Sequence, residues 1–280
     1  MRAAPPAEDR ILPLTRVVAV VVIAILLLGS GVLFLLPDQT DRRFAWTIHP
    51  TMTAMLMGAG YGAALYFFVR VLTERRWHRV GRGLLATTLF TWMMLGATVL
   101  HWNKFRHGSF PFLLWFWVYV VTAALVPAVW LINRRQDPGT PEDPDAELPR
   151  VVRGAMAVAG VAVLAVAAWM YLFPASAISV WPWLLTPLTA RAVASFVALP
   201  GVGWLVIASD PRWSSARVML GSEAIGLGLL LIAVARAWQE FDHGNALTYV
   251  YVAGLVGTLA AIAGLSVWMR RATPVHAPAG

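Results

Sequence analysis

From Val17 to Leu36 the chain runs for twenty residues without a charged side chain. At 1.5 Å of rise per residue, a helix of that length matches the roughly 30 Å hydrocarbon core of a bilayer. Comparable runs recur at about 49–70, 83–102, 109–133, 154–173, 186–208, 216–238 and 246–269. A segment surrounded by lipid must satisfy its own backbone polar groups, which leaves only helices or a closed barrel. These runs are continuously apolar and do not alternate, so the expectation is an all-α polytopic membrane protein with eight transmembrane helices. Composition agrees: 13% of residues are charged, about half the share usual in a soluble domain.

The first run follows Arg10 and Arg16 and is succeeded by Leu35-Leu36-Pro37-Asp38, which offers no small-x-small cleavage site. It therefore reads as a retained helix and not as a cleaved signal. The chain contains no cysteine, which excludes disulfides, thiolate metal sites and cysteine nucleophiles.

Arginines set the expected orientation. Arg70, Arg75, Arg76, Arg79 and Arg82 fall between the second and third runs. Arg134, Arg135, Arg150 and Arg153 fall between the fourth and fifth, Arg212 and Arg217 between the sixth and seventh, and Arg270 and Arg271 after the eighth. The opposite connections hold only Arg42, Arg43, Lys104 and Arg106. By the positive-inside rule both termini are cytoplasmic, in the cell membrane. The net charge of +8 thus records insertion and does not point to nucleic acid. Trp46, Trp102, Trp181, Trp183 and Trp238 gather at the other face, where an interfacial aromatic belt is expected.

The two halves of the chain resemble each other. Shifted by 137 residues, Pro37 meets Pro174, Trp46 meets Trp183 and Pro50 meets Pro187. Shifted by 136, Arg76-Trp77 meets Arg212-Trp213, and Arg134-Arg135 meets Arg270-Arg271. The same shift lays Trp102-Asn103-Lys104-Phe105-Arg106-His107-Gly108 on Trp238-Gln239-Glu240-Phe241-Asp242-His243-Gly244. The expected organisation is a leader (1–16), a first four-helix repeat (17–135), an acidic proline-rich linker (136–153), a second four-helix repeat (154–271) and a tail (272–280). Four helices per unit make the repeats parallel, related by a pseudo-twofold axis along the membrane normal. The linker lacks apolar content and reads as flexible.

Ionisable groups inside a span are the default functional candidates. Arg191 lies just below the outer end of the sixth run, and Arg236 near the outer end of the seventh with Glu240 four residues on. Arginines that snorkel from the helix ends, with a local Arg236–Glu240 pair, are one reading; Arg191 and Arg236 as substrate contacts are the other. Glu223 reads as lying deeper, nearer the cytoplasm, among small residues that permit close helix approach (Gly221 to Gly228).

His49 and His101 read as lying at one depth on successive helices, where two imidazoles could hold haem iron or a transition metal. Met52 and Met55 follow His49 at helical spacing, a set suited to copper(I), although methionine is also ordinary core. His107 and His243 read as structural members of a shared turn closed by glycine. No phosphate-binding loop, nucleophile elbow or zinc-protease helix occurs.

Three functional readings follow. The first is transport or binding of a small molecule or ion between the two repeats, with Glu223, Arg191 and Arg236 as polar contacts. The second is a redox or metal-handling subunit holding haem or copper through His49, His101, Met52 and Met55. The third is a non-catalytic accessory subunit of a membrane complex, meeting its partner through the linker and the arginine-rich loops.

Overall fold

A computed structural model describes residues 8–272. All eight apolar runs are helical, and each is long and apolar enough to cross a membrane. They are α1 (Pro13–Ser30), α2 (Thr51–Thr73), α3 (Gly83–Leu100), α4 (Phe110–Asn133), α5 (Arg150–Leu172), α6 (Pro187–Ala208), α7 (Trp213–Arg236) and α8 (Ala246–Ala272). No strand occurs among the described residues. The protein is an all-α, multi-pass membrane protein.

α2, α3, α6 and α7 form the centre, and α1, α4, α5 and α8 lie outside it. α1 packs on α2 and α5 on α6; α2 packs on α7 and α6 on α3; α4 packs on α3 and α8 on α7. Exchanging α1–α4 for α5–α8 leaves this set of close pairings unchanged. The outer helices expose Val17, Leu28, Val121, Val158 and Val250, each at least half accessible, as lipid-facing residues should be. α5 and α6 approach closely because Gly160 lies against the Gly201 carbonyl: a Cβ at 160 would sit 2.9 Å from that oxygen.

Several loop expectations change. Trp46 and Trp183 are not belt residues but are buried, at 3% and 2% exposure. Trp46 packs against Phe105 and Trp115, with ring centroids 5.1 and 4.8 Å away. Trp183 meets Phe241 and Tyr251 at 5.1 and 5.3 Å, the positions expected from the same sequence shift. These aromatic clusters fill the space beneath the loops. His107 and His243 stack on Trp102 and Trp238 at 4.6 and 4.8 Å, and Gly108 takes the left-handed φ of +81° that the turn requires.

The linker, expected to be flexible, is docked. Asp137 and Asp210 flank the Arg212 guanidinium, Arg76 and Arg79 hold Glu142, and Asp145 accepts from Ser214. Leu148 is buried and donates its N–H to the Pro211 carbonyl at 2.7 Å. The acidic residues that suggested solvation instead complement the arginine-rich loops.

Candidate functional site

A chamber of about 280 Å3 lies among α2, α3, α6, α7 and α8. Its wall is apolar except for a few groups, and among the described residues Glu223 is the only acidic one on it. Glu223 sits near the middle of Trp213–Arg236, slightly nearer its linker-face end. Hydropathy had started α7 late, because Ser214 and Ser215 are polar; both are buried and helical. Trp204 of α6 donates its indole N–H to Glu223 Oε2 at 2.8 Å. Tyr251 and Trp181 also line the chamber, and the Tyr251 hydroxyl and Trp181 indole N–H are buried without a hydrogen-bond partner among the described residues. A buried donor without an acceptor is costly, and a bound molecule carrying an oxygen or nitrogen would relieve it.

A second chamber, about 350 Å3, adjoins the first. Gly60, Thr87 and Phe196 line both. Gly60 lies under the Phe196 ring: a Cβ there would come within 2.3 Å of it. Sequence reasoning missed Trp204, Thr87 and Phe196. One signal was available, since the 136-residue shift lays Thr87 on Glu223.

The remaining candidates do not share the Glu223 chamber. Arg236 donates to the Phe34 carbonyl at 2.6 Å and lies over the Phe34 ring. Phe34 belongs to a π-helical turn, Gly31–Leu35, that ends α1 and leaves carbonyls without their α-helical donors. Arg236 is therefore occupied in closing that end and does not pair with Glu240. Glu240 instead caps α2 from the other half of the chain. Its Oε1 accepts from Thr51 N–H at 3.0 Å and the Thr51 hydroxyl at 2.6 Å, and its Oε2 from Met52 N–H at 2.7 Å. The N-cap of α2 is Pro50, which has no capping side chain, whereas α6 closes its own end through a Thr186–Thr189 capping box. Glu240→Ala should destabilise the protein by about 1–2 kcal/mol, the worth of a lost cap. Unfolding in mild detergent checks this, with Glu240→Gln recovering part of the loss.

Arg191 of α6 donates from Nη1 to His101 Nε2, at the end of α3, over 2.7 Å. The histidine accepts here, so it is neutral and carries its proton on Nδ1. Burial, then Arg191 and Lys104, hold its pKa below the usual histidine range. A depressed histidine pKa means the contact is complete above the unfolded value of about 6.5 and is lost as pH falls through the folded value. Acidification from neutral pH to below the usual histidine range, through the lowered folded value, should separate these two helix ends. Spin labels at Asn103 and Leu184 would report the change in distance, and Arg191→Gln should remove its pH dependence.

The proposed metal ligands are dispersed in environment. His49 is exposed, Met52 and Met55 are buried at 0% and 1%, and His101 gives its Nε2 lone pair to a cation. Among the described residues no cluster of three or more histidine, aspartate or glutamate side chains is placed to hold a metal.

At the linker face a chain of hydrogen bonds joins the halves. Asp9 Oδ2 lies 2.5 Å from His78 Nδ1, His78 Nε2 lies 2.9 Å from Ser214 Oγ, and Ser214 Oγ lies 2.6 Å from Asp145 Oδ2. The first three residues have the order of an acyl-transfer triad. Ser214 is 1% exposed, however, gives its proton to Asp145, and touches neither chamber. It fastens the halves together and does not act as a nucleophile. No protein-family profile, curated protein or solved structure matches the chain.

Proposed function

We propose that the protein binds a small, largely apolar molecule bearing a hydrogen-bond donor or a positive charge, and carries it across the bilayer. The observation that carries this reading is Glu223: among the described residues the only carboxyl group on the wall of an apolar chamber, held by an indole N–H. Small-molecule sites are concave, mostly apolar, and oriented by a few polar groups, and this chamber has that composition. An ionisable group at this depth is costly unless it serves a ligand or a proton.

The two halves are read as tandem repeats about a pseudo-twofold axis, with the linker face cytoplasmic. The chamber then lies where they meet, the position that repeat-built transporters use for substrate. Arg191, paired with His101 across α3 and α6, holds the outer ends together, so its role is control of access and not contact with the ligand.

The test is equilibrium binding of 2-phenylethylamine to the full chain in nanodiscs. Saturable binding of one amine per chain, with 2-phenylethanol binding more weakly, is expected. Partitioning that never saturates, equal to that of empty nanodiscs, would overturn the proposal.

A further inference from the structure

α1 and α4 are pinned together at the linker face. Asn133 is fully buried; its Oδ1 accepts from the Thr15 hydroxyl at 2.7 Å and Leu12 N–H at 3.0 Å, and its Nδ2 donates to the Arg10 carbonyl at 3.0 Å. Beyond this pin both helices line the 350 Å3 chamber, together with residues of α2, α3 and α6. Val22, Gly29 and Val32 form a stripe along α1, and Trp115, Val118 and Thr122 a stripe along α4, both at helical spacing. The chamber is thus a long slot parallel to the helices, closed at the linker face. It opens sideways to lipid, because Leu28 and Phe110 both line it and are 53% and 73% exposed. Protein interiors are close-packed, and an apolar slot of this size facing a bilayer is filled by what the bilayer supplies.

The far end of the slot carries Arg43. Its Nε donates to Gln39 Oε1 at 2.5 Å, while the nearby Asp41 carboxylate pairs with Arg42 at 3.6 Å. Arg43 takes part in no ion pair among the described residues. Arg106 is also close to this end, bound to the Thr40 and Phe44 carbonyls. A guanidinium at the depth of the headgroups, with donors to spare, suits a phosphate oxygen.

We propose that the slot binds one anionic phospholipid, with an acyl chain between α1 and α4 and its phosphate at Arg43. This site is separate from Glu223, and its failure would leave the reading of that chamber untouched.

Native mass spectrometry of the full chain, taken from bilayers with equal phosphatidylglycerol and phosphatidylcholine, tests the proposal. One phosphatidylglycerol per chain is expected to survive delipidation. Leu114→Trp with Val118→Trp fills the slot from α4, and Val32→Trp fills it from α1. Each should cut retention by about tenfold, the effect of displacing a few methylene groups. Val158→Trp, on the lipid-facing side of α5, should retain the lipid and serves as the folding control. Arg43→Gln should keep a lipid but lose the preference for phosphatidylglycerol, and inorganic phosphate should not displace it. Retention equal to wild type in both slot-filling variants, a preference unchanged by Arg43→Gln, or displacement by inorganic phosphate would each overturn the assignment.

Discussion

Replacing Arg212 by methionine should destabilise the protein more than any other single change at the linker face. The guanidinium is 3% exposed and binds two carboxylates at once, Asp137 through Nη1 and Nη2 and Asp210 through Nε and Nη2. Removing one partner of a buried ion pair leaves an uncompensated charge, which costs about 3–5 kcal/mol. Arg82 still reaches Asp210 at 3.0 Å, so the lower end of that range is expected. The Asp137 end of the linker should detach as well, because its main anchor is gone. Chemical unfolding in detergent gives the first quantity and proteolysis near Gly139 the second. Asp210→Asn added to Arg212→Met should restore part of the stability.

The same ion pairs set a pH dependence. Burial pushes the Asp210 and Asp137 carboxyls up, but hydrogen bonds and charge from Arg212 outweigh it and hold both below the usual aspartate range. Their contribution is complete above the unfolded value of about 3.9 and is lost as pH falls through the lower folded values. The linker should stay docked at pH 5 and release only in stronger acid, below the usual aspartate range.

Glu223→Gln should weaken binding of 2-phenylethylamine about tenfold to hundredfold. A charge-assisted hydrogen bond is worth about 1.5–3 kcal/mol, and each 1.4 kcal/mol is a factor of ten. Glutamine keeps an oxygen to accept from Trp204 and nearly the same volume, so folding should be little changed. The loss should be specific to charge: 2-phenylethanol should bind the variant and the wild type alike. A transported cation that competes with a proton for this carboxylate would also make uptake into vesicles depend on pH, and Glu223→Gln should flatten that dependence.

The eight helices were legible because lipid leaves the backbone few alternatives, and the residue types simply report that solvent. Glu223 stood out for the same reason, as a charge where charge is expensive. Only the start of α7 reads late, because it is held by buried hydrogen bonds of Ser214 that a hydropathy profile takes for loop. Nothing in the sequence reveals the π-helical turn whose carbonyl Arg236 satisfies. The linker was misread because composition rules count acidic and proline residues without asking what faces them. Here the facing residues are Arg76, Arg79 and Arg212, far away in sequence. Glu240 capping α2 is likewise a contact between the halves, and no local pattern announces it.

Where a ligand sits can be read directly by photolabelling. A diazirine derivative of 2-phenylethylamine, activated with the protein in nanodiscs and mapped by peptide mass spectrometry, should mark Glu223, Leu227 and Tyr251 on the chamber wall. Excess unlabelled amine and Glu223→Gln should both suppress that labelling. Labels confined to lipid-facing residues such as Val158 and Val250, or labelling of the chamber that Glu223→Gln leaves unchanged, would contradict a ligand site built around this carboxylate.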